Sequence, residues 1–414
     1  GHEAVGGSGP GTKQTQTMNR DIPPAASEVL AHLQARRADL VWLLERMTRA
    51  ESPSNEPNSQ QEIREIIAGE FERLGFVVRR VPGRLSGGML HARPSRRRRQ
   101  ARTQLLLGHF DTVWPVGTLT EMPFEAEGDT VRGPGVYDMK GGIAQAVLAL
   151  QTLQHFSLEP EVEPHVFLNS DEEIGSRESR RYIESLAPLM DRVFVLEPSL
   201  GPAGLLKTAR KAIGRFTVTV KGEAAHAGLD PGAGASAILE LSHAIQTLFA
   251  MNDLERGITV NVGTIDGGLR PNVVAPQSQA VVDVRVATQD DADRIETAIL
   301  GLEPAIPGTS LAVEGGFGRP AMERTAANRQ LWRMARRLGD DLGMELEQAL
   351  AGGGSDGNFT SQYTATLDGM GAVGDGAHAR HEHLRVGATL ERAALLTLLL
   401  MAPPLDSEDR EDDA

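Results

Sequence analysis

Apolar residues recur at helical spacing from Ala26 to Thr48, with Leu30, Leu33, Leu40, Leu43, Leu44 and Met47 on one broad face, so one amphipathic helix is expected there. Gln60 to Leu74 repeats the pattern and ends at Gly75, a residue suited to a helix C-terminus. Short apolar runs then alternate with helical stretches. They are Val77-Val78, Leu105-Leu106-Leu107, a helix from Gly142 to Phe156, Val166-Phe167-Leu168, a helix from Glu178 to Leu186, and Val193-Phe194-Val195-Leu196. This alternation predicts an α/β sandwich, with helices packed on a sheet.

From Gly214 the texture changes. Phe216 to Val220 alternates as a strand, Ala235 to Phe249 is helical, and Ile258 to Val262 and Ala280 to Val286 are strands. Asp290 to Leu302 is a second helix and Ser310 to Val313 a last strand. The order β-α-β-β-α-β is that of a ferredoxin-like unit, so residues 213–317 are expected to be an inserted α+β domain. It would split the first domain into residues 21–212 and 318–405, the latter holding a helix from Ala327 to Gly343, a Gly-rich loop at 352–357 and a helix from Gly387 to Met401. Residues 1–20 read as a disordered leader or tag, and 406–414 as a frayed acidic tail.

Composition narrows the partners. Lys and Arg total 42 against 56 Asp and Glu, a net charge of -14 that argues against nucleic acid. The longest greasy stretch, Ala393 to Ala402, is far short of the ~20 residues that span a bilayer, so no membrane partner is expected. The leader lacks the apolar region of a signal peptide, which makes the cytoplasm the expected location. The run Arg96-Arg97-Arg98-Arg99 with Arg102 stands alone in an acidic chain and reads as an exposed hairpin turn. With 0 cysteines, any metal must be held by His, Asp and Glu.

Such residues follow apolar runs repeatedly. Leu105 to Leu107 leads to Gly108-His109-Phe110-Asp111, Val166 to Leu168 to Asn169-Ser170-Asp171-Glu172-Glu173, and Val193 to Leu196 to Glu197; more loosely, Met370 to Val373 leads to His378. The carboxyl ends of neighbouring strands line the ligand crevice of an open α/β sheet, so these side chains can converge. Asp138 lies in the Gly-rich turn Gly133-Pro134-Gly135-Val136-Tyr137-Asp138-Met139-Lys140-Gly141-Gly142, at the mouth of a helix. This nitrogen and oxygen donor set suits zinc, and an aspartate shared between two ions would make a two-metal site. Adjacent side chains diverge in both helix and strand, so Glu172 and Glu173 are expected to do different jobs.

The segments Gly108 to Val113, Gly133 to Gly142 and Asp171 to Ser176 closely resemble motifs of the di-zinc aminoacylase and carboxypeptidase metallopeptidases, best matching the glutamate carboxypeptidase (carboxypeptidase G-like) branch. The resemblance runs from about residue 25 to 403 and includes the inserted domain. It implies that His109 and Glu197 hold one zinc, Glu173 and His378 the other, and that Asp138 bridges both, with a cis peptide to Met139. It makes Asp111 the carboxylate that orients His109, and Glu172 the general base. Spacing alone does not choose among His378, His381 and His383; the family pattern, a His after a Gly-rich turn with a Glu four residues on, fits His378 and Glu382, and leaves His381 and His383 as expected surface residues.

In the inserted domain, Gly222 to Gly228 is similar to the family segment whose histidine, here His226, crosses a homodimer to stabilise the oxyanion. Arg285 and Arg319 match positions that bind the substrate carboxylate, Asn272 would line the same pocket, and Ser355 would hydrogen-bond there. The implied architecture is a mixed-sheet α/β/α catalytic domain with a ferredoxin-like lid that also dimerises. The implied reaction is hydrolysis of an amide to release a carboxyl-terminal amino acid, glutamate first, from N-acyl, folate-like or peptide substrates. An N-acyl amino acid deacylase would use the same centre. Gly353-Gly354-Ser355-Asp356-Gly357 also fits a serine-hydrolase elbow, but no clear strand precedes it and His378 follows too closely. A non-catalytic binding protein would need a degenerate metal site, and none of the expected ligands is missing.

Overall fold

The computed structural model describes residues 24–96 and 98–405. The expected leader and acidic tail, and Arg97 of the arginine run, lie outside them. A six-stranded sheet runs in the order Phe76–Val81, Met89–Pro94, Glu163–Asn169, Thr103–His109, Arg192–Val195 and Ala365–Leu367. The first two pairings are antiparallel and the remaining three parallel.

Pleating explains the two covered faces. Leu106 enters one core with the helices Gly141–His155 and Val386–Met401, while Leu105 and Leu107 enter another with Ile183 and Phe359. Strands apolar on both sides need layers on both sides, so this part is the expected α/β/α sandwich. Gly142 is required where its helix meets the sheet: a Cβ there would stand 2.0 Å from the Leu196 carbonyl oxygen. That approach brings the start of the helix beside Glu197.

The second unit has its own core of Phe216, Val218, Val220, Leu241 and Ile295. Its antiparallel sheet runs Thr259–Gly267, Gln277–Val286, Ala212–Lys221, Ser310–Arg319, the ferredoxin-like order. Its helices Ala237–Phe249 and Gln289–Leu300 are capped by Ser236 and Thr288, each accepting from an amide three residues on, which contributes about 1 kcal/mol per cap. The chain crosses into this unit and back at one place, where Arg319 pairs with Ile213 and Met322 with Arg210.

Three local expectations are corrected. The first helix is two, Ala26–Gln34 and Arg37–Arg49, interrupted at Ala35-Arg36; the first packs mainly on the final helix, the second on both that helix and Gly141–His155. Arg96, Arg98 and Arg99 are exposed, but their segment is no hairpin, since the strand Glu163–Asn169 lies between the two strands it joins. Met370–Val373 is buried without being a strand; the parallel strand is Ala365–Leu367.

Candidate metal centre

Three parallel strands deliver the cluster at their carboxyl ends. His109 closes its strand, Glu172 and Glu173 follow Asn169 on a short turn, and Glu197 lies two residues beyond Val195. Asp138 comes from the turn before the helix Gly141–His155, and its peptide bond to Met139 is cis. His378, at φ 61°, stands on the loop before the strand His383–Arg385.

The distances place Asp138 between the histidines. Its Oδ1 is 3.4 Å from His109 Nε2 and its Oδ2 is 3.2 Å from His378 Nε2. His109 Nε2 also stands 3.2 Å from Glu197 and 3.8 Å from Glu172, and His378 Nε2 is 3.1 Å from Glu173. Ligand atoms of His109, Glu172 and Glu197, and of His109, Asp138 and Glu173, lie within 4.8 Å of one another. His109 Nε2 and Asp138 Oδ1 are buried with no hydrogen-bond partner. Buried polar atoms without partners are costly, and two divalent cations would satisfy both while neutralising the gathered carboxylates. The donors therefore fit a pair of metal ions.

Protonation follows the same crowding. Burial opposes charge on His109, but Asp111, Asp138 and Glu197 overcome it and hold the imidazole well above its ordinary pKa. Asp138 and Glu173 raise His378 to about 11. Burial and the charge of Asp138 push Glu173 up to about 7. Burial, against the pull of Arg319, pushes Glu172 well above the carboxylate range. Burial also works against ionisation of Asp138, yet its two imidazole partners keep it below the usual range.

Two outer carboxylates fix the geometry. Asp111 stands 3.3 Å from His109 Nδ1 and accepts the amides of Glu172 and Glu173 at 3.2 and 3.1 Å and the Ser54 hydroxyl at 2.6 Å. His109 Nδ1 also pairs with the Asp111 main-chain carbonyl at 3.0 Å, so Asp111 holds the imidazole through both its main chain and its carboxylate, and the carboxylate holds the turn carrying both glutamates. Glu382 accepts the amides of Gly135, Tyr137 and Asp138 at 2.9, 3.1 and 3.0 Å and the Trp114 indole at 2.8 Å. Replacing Asp111 with Asn is expected to weaken metal binding about 10- to 100-fold, measured by competition with a chromogenic chelator. Unchanged affinity would show that the Asp111 carboxylate adds nothing to the hold of its main-chain carbonyl on His109.

The remaining expected residues fall in different places. His226 is exposed on the inserted unit, and Asn272 is exposed beside it, its carbonyl accepting the Ala227 amide at 3.0 Å. Arg285 forks onto Asp283 at 2.9 and 3.1 Å and reaches the Gly352 carbonyl at 3.3 Å. Arg319, expected to meet a substrate carboxylate, is instead 6% exposed and bonded to Glu172 and Asp356, both at 3.0 Å. Ser355, expected in the pocket, is fully buried and gives its hydroxyl to Asp368. A strand, Gln348–Ala351, does precede Ser355, but among the described residues its hydrogen-bond partners are Asn358, Asp368 and Gly357 and no histidine, which speaks against the serine-hydrolase arrangement. His381 is exposed as expected, whereas His383 is half-buried on its short strand.

Sequence reasoning missed Lys207 and Asp356. Lys207 is 8% exposed, and burial and Arg210 lower it to about 8 while Asp368, Glu197 and Asp138 oppose the shift. It lies on a plain strand without motif, so nothing local marks it. Asp356 had a signal: it sits in the Gly-rich stretch that drew attention to Ser355.

Two histidines and four carboxylates, Asp138 among them, thus meet at the strand ends of an α/β sheet, a donor set able to hold metal ions. The chain belongs to peptidase family M20/M25/M40, whose description matches residues 105–402, and it is a metallopeptidase of that family. Carboxypeptidase G2 of Pseudomonas sp. (strain RS-16) is 27% identical over 381 residues, covering 87% of this chain and 88% of that one. The fold is similar to that of aminopeptidase PepT from Bacillus cereus, with TM-score 0.74 and 20% identity over 88% of this chain and 98% of that one. It is also similar to the YXEP protein of Bacillus subtilis, a dinuclear metal-binding peptidase, with TM-score 0.65 and 14% identity over 89% and 98%. Among the described residues no helix is long and apolar enough to cross a membrane.

Proposed function

We propose that this chain is a two-zinc carboxypeptidase that hydrolyses the amide bond of N-acyl, folate-like or peptide substrates and releases a carboxyl-terminal amino acid, glutamate in the first place. The observation that carries the reading is Asp138, whose two oxygens face His109 on one side and His378 on the other. His109 with Glu197, and His378 with Glu173, would each complete a site for one ion. When bound, the pair polarises the scissile carbonyl and acidifies a water.

The chain's own residues do the rest. Glu172, not needed to complete either site, takes a proton from the attacking water and returns it to the leaving amine. His226 Nδ1 accepts the amides of Gly228 and Leu229, both at 3.1 Å, so its proton is on Nε2, the tautomer a donor to an oxyanion needs. Arg285, partly exposed and now paired with Asp283, would exchange that partner for a terminal carboxylate, which its planar fork matches, with Asn272 beside the His226 loop.

His226 serves the site from a second copy in this reading. The inserted unit, residues 213–317, acts as lid and dimerisation domain. Two features support that role: its strand Thr259–Gly267 lies at the edge of the sheet, and Leu229, Ile238, Leu239, Ile265 and Leu269 are large apolar side chains exposed on the unit. Zinc-loaded protein assayed on N-benzoyl amino acids that differ only in the amino acid tests the whole. Preference for glutamate is expected; preference for neutral residues would favour the N-acyl amino acid deacylase, and monomers by light scattering would remove the shared site.

A further inference from the structure

The reaction proposed above makes no use of the Gly-rich stretch 352–357. Asp356, within it, is 2% exposed and absent from both groups of converging ligand atoms. Its Oδ1 accepts from Arg319 Nη1 at 3.0 Å and from the Ser176 hydroxyl, and its Oδ2 accepts from Asn169 Nδ2 at 2.6 Å. Arg319 then turns Nη2 to Glu172, donating to Oε1 at 3.0 Å and to the main-chain carbonyl at 3.3 Å. The same nitrogen reaches Ser176 Oγ at 3.2 Å. A rigid guanidinium bonded to a carboxylate on each side leaves neither free to rotate.

We infer that Asp356 and Arg319 form a positioning clamp that sets the orientation of the Glu172 carboxylate, so that Arg319 serves the general base. The inference rests on the role of Glu172 in the proposed hydrolysis. Burial supports it: both arginines are paired with carboxylates, but the Arg319 side chain is 8% exposed and its partner Asp356 is buried, whereas that of Arg285 is 32% exposed and its partner Asp283 is exposed as well. An incoming carboxylate would have to break two ion pairs at Arg319.

Gly354 supports it independently. A Cβ there would stand 2.8 Å from Arg319 Cδ and 2.4 Å from Ile213 Cδ1. Glycine at this position is what lets the arginine stem pass beneath the loop. Location adds a third argument. Arg319 ends the last strand of the inserted unit, where a register shift after Phe317 sets it opposite Ile213. The base is therefore held by the connection between the two units, and is oriented only while that connection is seated.

Zinc-loaded Asp356→Asn and Gly354→Ala test the clamp, with N-benzoyl-glutamate as substrate and free glutamate as competitive inhibitor. Asp356→Asn removes the charge that holds the guanidinium; Gly354→Ala keeps every charge and displaces the arginine. For both, kcat is expected to fall about 10- to 100-fold, with KM and the glutamate inhibition constant within about twofold of wild type and two metals retained. If Asp356→Asn does not fold, Gly354→Ala decides alone. A raised KM and inhibition constant with kcat preserved would overturn the clamp and return Arg319 to the substrate. Unchanged kinetics in both variants would overturn it as well. A wild-type protein that hydrolyses none of the N-acyl amino acids sinks the hydrolase reading and the clamp with it, a result distinct from active wild type with unaffected variants.

Discussion

Glu172→Gln is expected to keep two metal ions per chain and to lower kcat by about 10²- to 10⁴-fold, the range that general acid–base catalysis supplies. Geometry makes the outcome informative. Glu172 stands 3.8 Å from His109 Nε2, close enough to the group formed with Glu197 to serve as a ligand. Were it a ligand, the ion beside His109 would be lost from the variant. In the proposed reading, His109, Asp138 and Glu197 suffice for that ion, and the amide oxygen of glutamine lacks only the ability to take a proton. Metal analysis and single-turnover kinetics on one preparation separate the cases. Retained metal with retained turnover would end the assignment of Glu172 as base.

Removing the metals should abolish activity, and restoring them should release protons at pH 7. The sign follows from the directions found in the cluster. His109 is held well above its ordinary value, and His378 is raised to about 11, so both imidazoles are charged at neutral pH without metal. A ligating imidazole must be neutral, so each bound ion displaces a proton. Glu173, at about 7, adds a fraction of another. Affinity should fall as pH drops, because more protons must leave, and the release from His378 should fade only as pH climbs towards 11. Calorimetry in buffers of different ionisation enthalpy counts the protons. Loading without release would mean that these imidazoles do not ligate.

Much of this was visible in the sequence because it is local. His109, Glu173 and Glu197 each sit within a few residues of an apolar run, and a strand end is a fixed place in an α/β sheet. The inserted unit was legible for the same reason, its alternating strands and capped helices being set by near neighbours. What escaped depends on long-range contacts. Arg319 meets Glu172 across 147 positions, and Glu382 gathers the amide of Asp138 across 244. Nothing in Gly318-Arg319-Pro320 says whether that fork turns outward or inward. The arginine run was misread as a hairpin because adjacency in the chain does not imply adjacency in a sheet, and a later strand fills the gap.

Arg210 and Met322 are bridge partners, so the intervening stretch leaves and re-enters the first unit through a neck two strands wide. To the sandwich below, the whole excursion is one loop already closed at its base. The entropic cost of closing such a loop grows only with the logarithm of its length, so the underlying sheet is insulated from what is built above the neck. Both strands of that neck must bend together, which restricts any swing of the upper body to an arc about a single narrow waist.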